Sequence, residues 1–226
     1  MKILIVVDPQ NDFVKADGKL AVPNADNPDI INNINKLLES EKFDFKICTQ
    51  DWHPQGHISF ASTHDSELFV ERDTMQGAGS SVGNKVIKQV MWPDHCIAGT
   101  DGANIYDYIK SWHFNAIFRK GTDKFRECYS VFEYVYEKGI TVMGDEYLTP
   151  HFHMVKALNV DEIYVCGFAT DFCVMQTAIS ATRLAKKVYT IMDACAAVDA
   201  NNLDGVYKKF DDVRIGMLNT SWVLEH

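Results

Sequence analysis

The sequence predicts an α/β protein whose mainly parallel sheet is covered by helices on both faces. Three observations carry this. Six short β-rich runs alternate with helix-patterned segments along the chain. The 226 residues, 46% of them hydrophobic, suffice for one large domain with a real core. One long stretch, 52–100, breaks the alternation and reads as a loop-rich insertion.

The first run, "KILIVV" at 2–7, ends in Asp-Pro. It is too short for a signal peptide and reads as a strand. A helix over 28–40 leads to a second strand at 44–49, "DFKICT". The insertion is rich in His, Gly, Ser and Trp, with one helical segment near 84–91, and reads as a lid or site-building excursion. Its "GAGSSVGNK" lacks the Walker spacing and follows no predicted strand, so a phosphate loop is set aside. A helix over 102–112 and a strand at 114–119, "FNAIFR", come next. Helices over 127–137 and 148–158 precede a strand at 161–166, "DEIYVC". Thr170 can then cap a helix over 171–185, where Asp171 suits the first turn. Val174, Met175, Ala178, Ala181, Leu184 and Ala185 recur there at roughly helical spacing. A strand at 187–192, a helix over 202–210 and a strand at 213–217 complete a domain of residues 1–223. The closing Leu224-Glu225-His226 resembles a truncated affinity-tag scar and is set outside it.

A net charge of −9 without a basic stripe argues against a nucleic-acid partner. No apolar run approaches the length of a membrane span. The six cysteines form no CxxC pair, which points to a reducing compartment and an expected cytoplasmic location.

Ligands of parallel sheets bind outside the carboxyl ends of the strands. The residues just past those ends here are Asp8, then Asp51 and His53, then Lys120, then the turn to Cys173, then Asp193. Alone, each has a bland reading: a turn-forming Asp, a solvated Lys, a buried apolar Cys. Together, Asp8, Lys120 and Cys173 make a chemically sensible set. A strand-to-helix turn favours a thiolate, a lysine beside it stabilises that thiolate, and a carboxylate moves its proton. The reaction class this suggests is acyl transfer from a small amide through a thioester, followed by hydrolysis, with an oxyanion hole in the turn 168–173.

"QDWHPQGHISF" at 50–60 carries a second signal. Asp51 and His53 lie two apart in an extended segment and point the same way. "MWPDHC" adds His95, and two histidines with one carboxylate suit one divalent metal: Zn²⁺, Fe²⁺ or Mn²⁺. His57 is a fourth candidate, as ligand or as support to a ligand. His64, His113, His151 and His153 show no partner pattern and are read as structural.

The motifs "VVDPQNDF", "DWHP…HISF", "WPDHC…GT", "RKGTD" and "CGFATDFCV" follow one another in this order. In them the chain resembles the nicotinamidases of the isochorismatase-like cysteine hydrolase superfamily, from residue 3 to about 200. The resemblance implies a three-layer α/β/α sandwich with a six-stranded, mainly parallel sheet. It implies Asp8, Lys120 and Cys173 as catalytic residues and Asp51, His53 and His95 as metal ligands, with His57 added in some members. It implies an oxyanion hole from the backbone of Ala169 and Cys173, with a cis peptide at Phe168–Ala169. Nicotinamide is the implied substrate, with Zn²⁺ first among the metals and a role in NAD salvage. Phe13, Trp92 and Tyr129 are candidates for the ring-binding walls. The family includes monomers and larger assemblies, so a homo-oligomer is left open. Three rivals remain at this stage: a related hydrolase acting on a vinyl-ether, carbamoyl or ureido compound, a binding protein with an eroded site, and a hydrolase whose metal activates water.

Overall fold

Ile3, Leu4, Ile5, Val6 and Val7 of β1 (Lys2–Val7) are all completely buried. Successive strand side chains point to opposite faces, so a strand buried at every position is covered on both. The computed structural model describes residues 1–76, 85–135 and 147–226. In it β1 pairs with β2 (Phe45–Asp51) on one side and β6 (Val160–Phe168) on the other. β5 (Ala116–Lys120) lies beyond β2, and β7 (Ala185–Ala196) then β8 (Gly216–Leu218) lie beyond β6. The six-stranded sheet has the order β5-β2-β1-β6-β7-β8 and is parallel throughout.

The crossovers set the layers. α2 (Pro28–Glu39) carries the chain from β1 towards one edge, and α4 (Met175–Ala181) carries it from β6 towards the other. Parallel crossovers are right-handed, so connections running in opposite directions put their helices on opposite faces. α5 (Asp204–Asp212) joins β7 to β8 beside α4, while α6 (Thr220–Glu225) returns to α2. α2 is well specified locally: Asn27 accepts the Asp29 N–H at 2.9 Å, Pro28 opens the helix, and Ile31, Ile34, Leu37 and Leu38 form its buried stripe. α3 (Pro150–Lys156) begins the same way, with Thr149 as cap and Pro150 first.

The strand order reverses between β1 and β6, and a crevice opens at their carboxyl ends. Asp8 leaves β1 with φ 49° and turns its carboxylate into this crevice. Gly167, near the end of β6, has φ 114°, and a methyl group there would overlap the Val7 backbone.

Three helix expectations fail. Residues 85–90 form β4 (Lys85–Val90), antiparallel to β3 (Glu71–Gln76). Val86 and Lys88 are exposed while Ile87 and Gln89 are buried, the period of a strand. "GAGSSVGNK" therefore does follow a strand, still without Walker spacing, and its residues 77–84 lie outside those described. The segment 102–112 holds only short 3₁₀ turns among extended residues. Its backbone groups are taken by distant partners: Gln10 binds the Ala103 carbonyl, and Asn35 binds the Tyr108 carbonyl and the Lys110 N–H. Residues 127–135 run as irregular chain, tied by Glu127 N–H to the Gln76 side chain and by a bridge between Glu133 and Leu148; residues 136 and 137 lie outside those described. Two helices went unread: α1 (Asn11–Val14) and α6, whose Leu224 packs against the core.

Gly167→Ala is expected to cost at least about 2 kcal/mol, from positive-φ strain plus displacement of β1. Urea unfolding of the wild-type and variant proteins measures it.

Candidate active site

Lys120 ends β5, and its ammonium is the hub of the crevice. Nζ lies 2.9 Å from Asp8 Oδ2, 2.5 Å from Asp51 Oδ1 and 3.4 Å from Cys173 Sγ. All four side chains are buried. Thr49 Oγ1 donates to the other oxygen of Asp8 at 2.6 Å. Cys173 is presented by a π-helical turn, Thr170–Val174, between β6 and α4. The Phe168–Ala169 peptide before that turn is cis.

Burial opposes the Lys120 charge, but Asp51, Asp8 and Cys173 outweigh it and hold its pKa well above the usual value. Burial pushes the Asp8 carboxyl up to about 6, against the pull of Lys120. Burial also raises Asp51, yet Lys120 and the two nearby histidines bring it below the ordinary carboxylate range. The two acids share one lysine and shift in opposite directions because Asp51 has the shorter contact with it, and the charge of Asp51 in turn raises Asp8. Burial pushes the Cys173 thiol well up, with Lys120 pulling the other way. The resting group is therefore a thiol with a carboxylate oxygen of Asp8 within 4.8 Å, in place of the lowered pKa that the turn alone suggests.

His53 and His95 complete the second half. Nδ1 of His53 donates to the Gly121 carbonyl at 2.9 Å, and Nδ1 of His95 to that of Pro93 at 2.7 Å. Each ring thus keeps its Nε2 lone pair towards Asp51 Oδ2, at 3.7 and 3.9 Å. Burial lowers the pKa of both rings, so no proton sits between these acceptors. Two neutral imidazoles and a carboxylate facing one another without a donor form a donor set that a divalent cation fits. His57 falls outside this set. Its Nδ1 meets Ser59 Oγ at 2.8 Å, its Nε2 meets the Arg126 carbonyl at 3.2 Å, and its ring stacks on His53 at 4.1 Å. Both of its ring nitrogens thus have partners outside the Asp51, His53 and His95 group.

Phe13, Trp92 and Tyr129 line the cavity onto which both halves open. Trp92 Nε1 donates to the Tyr129 hydroxyl at 3.2 Å, and Phe13 tilts against His95 at 5.5 Å. Asp193 is elsewhere: it accepts the Thr220 N–H and hydroxyl and holds the start of α6. His151 stacks on Phe118, outside the cavity lining.

Several supporting residues escaped the sequence reading. The Gln10 amide clamps the backbone of Asp51, accepting its N–H and donating to its carbonyl, both at 2.7 Å. Asp12 accepts the Cys96 N–H at 2.7 Å and so holds the residue after His95, where φ is 46°. Both acceptors sit in "VVDPQNDF", directly after a strand end, which is the signal that could have found them. Gly121 has φ 61° and lies against the His53 ring, leaving no room for a side chain. Glu127 lines the cavity with its carboxyl pushed up by burial.

The sequence profile of the isochorismatase domain matches residues 2–214. A nicotinamidase of Acinetobacter baylyi is 40% identical over 199 residues, 88% of this chain and 82% of its own. The structure of the yeast nicotinamidase bound to the inhibitor nicotinaldehyde superposes with a TM-score of 0.81 at 29% identity, covering 97% of this chain and 100% of that one. A pyrazinamidase of Pyrococcus horikoshii in complex with zinc gives 0.68 at 26% identity, covering 96% and 98%. A parallel sheet in this order, a cysteine on the turn after β6 and a profile match along nearly the whole chain agree: the protein belongs to the isochorismatase family, and its relatives there are nicotinamidases.

Proposed function

We propose that the protein hydrolyses nicotinamide to nicotinate and ammonia through a thioester on Cys173. One observation carries the reading: Lys120 and Cys173, with Asp8 buried behind them, open on the same cavity as Asp51, His53 and His95. Nicotinamidase relatives that match along most of their length support the substrate.

At neutral pH Asp8 is ionised and Cys173 is a thiol. As sulfur attacks the carboxamide carbon, Asp8 accepts the thiol proton. Lys120 keeps its charge and steadies the negative charge growing on sulfur. The N–H groups of Ala169 and Cys173 receive the oxyanion. Asp8 then gives its proton to the amide nitrogen, ammonia leaves and the thioester remains. Water attacks the thioester, Asp8 takes one of its protons and returns it to sulfur, and nicotinate departs. Phe13, Trp92 and Tyr129 flank the ring. Asp51, His53 and His95 would hold one divalent cation, Zn²⁺ ahead of Fe²⁺ and Mn²⁺, whose chemistry there is Lewis acidity towards the pyridine nitrogen. The reaction suits return of nicotinamide to NAD in a reducing cytoplasm, in keeping with six free cysteines.

Ammonia release from nicotinamide tests this directly. Cys173→Ala is expected to lower turnover about a thousandfold or more, and a chelator to slow the wild type. Activity that survives the substitution overturns the thiol mechanism. Because Asp8 works ionised, kcat/KM is expected to fall about tenfold per pH unit below about 6 and to level off above it. Lys120→Met leaves two buried carboxylates without their cation, and urea unfolding is expected to show a loss of about 3–5 kcal/mol.

A further inference from the structure

The cavity at Cys173 is nearly filled. Its free space is about 30 Å³, enough for a water or two. A cavity that accepts a benzene ring offers on the order of 150 Å³. A pyridine carboxamide therefore reaches Cys173 only when a wall gives way. Behind one wall lies an outer chamber of about 560 Å³, and Trp92, Phe172 and Val198 line both spaces.

These three differ in what holds them. The backbone of Trp92 is bonded on both sides, to the Ser59 carbonyl and the Ala61 N–H, and its Nε1 donates to Tyr129. The backbone of Val198 is tied to the Asp171 carboxylate, and its side chain is short. Phe172 is half-buried at the margin of the core, its ring edge-on to Trp92 at 4.9 Å and 85° and tilted against Tyr129 at 5.8 Å and 45°, with no polar atom to tie it. Its own N–H is anchored to the Ala169 carbonyl at 3.1 Å, so its ring can change rotamer while the turn bearing Cys173 stays fixed. The room it would turn into offers apolar surface from Val90, Met175 and Val206 among polar residues such as Asn202 and Lys209.

We propose that the Phe172 ring is the gate between the two chambers and sets the size of the ring that reaches Cys173. The substrate side of this rests on the reading of Cys173 as an amidase nucleophile; the gate itself does not. Pyridine carboxamides with a bare ring pass, and those with an apolar ring substituent are held back by the Phe172 side chain. Nothing is needed from the catalytic groups for this selection, because Phe172 contributes bulk and no polar atom.

The test uses the whole protein with Phe172→Ala and Phe172→Leu, each checked for wild-type melting behaviour. Alkylation of Cys173 by iodoacetamide and by N-phenylmaleimide is followed by peptide mass spectrometry. The Ala variant is expected to raise the N-phenylmaleimide rate about tenfold relative to the iodoacetamide rate, with the Leu variant between. In parallel, kcat/KM for 5-methylnicotinamide over that for nicotinamide is expected to rise about tenfold. Reagent and substrate ratios that stay at the wild-type value in both variants overturn the gate, even where absolute rates change. A shifted alkylation ratio in a protein that releases ammonia from neither amide upholds the gate and overturns the nicotinamidase reading instead.

Discussion

One buried ammonium holds the site together. Lys120 is 3% exposed and faces two carboxylates and a thiol. A lone charge in that position would be far too costly to bury, as would either acid. Together they leave one excess negative charge, shared over Asp8 and Asp51, beside two neutral histidines. The geometry follows from this constraint. Asp8, Asp51, Lys120 and Cys173 come from four different strand ends, and each must arrive for the others to be tolerated. The Thr49 hydroxyl on Asp8 and the Gln10 amide on the Asp51 backbone fix the two acids from behind. Pre-organisation here is a condition of folding as much as a preparation for chemistry.

Much of this was legible in the sequence. The order of strands and the residues just past their ends could be read because parallel strands are continuous apolar runs, and because chemistry gathers at their carboxyl ends. Asp8, Asp51, Lys120 and Cys173 were found that way, and the structure brings them into contact. Asp193 was found by the same rule and does something else: β7 continues past the point where a strand end was drawn, so the carboxylate meets α6. What stayed hidden shares one cause. Gln10, Asp12 and Asn35 spend their side chains on backbone groups far away in sequence, and no local pattern reports a partner scores of residues distant. The bonds of Gln10 and Asn35 keep 102–112 from closing into the helix its composition suggests. At 85–90 the alternation of Val86, Ile87, Lys88 and Gln89 is a strand period too short to stand out from a helical one in sequence alone.

The two halves of the site also differ in how they are held. The thiol side is held by charge, through Lys120. The histidine side is held by the backbone, through the carbonyls of Gly121 and Pro93 and the stacking of His57 on His53. Asp51 is the residue common to both, and its backbone is the one that Gln10 grips from both sides. A side chain that answers to two partners needs a main chain that cannot drift.

The central pairing has a consequence for how the chain comes to be folded. β1 lies against β6, with Lys2 opposite Glu162 and Val7 opposite Gly167. β1 therefore waits during synthesis for a strand made far later. Until then its five apolar residues have only β2 beside them. Contacts this distant in sequence slow folding and leave edges open meanwhile. Asp8 and Cys173 flank that same late-formed seam, so the thiol joins the cluster only once β6 is in place. A growing chain has the strands that carry Asp8, Asp51 and Lys120 before it has the one that leads to the thiol.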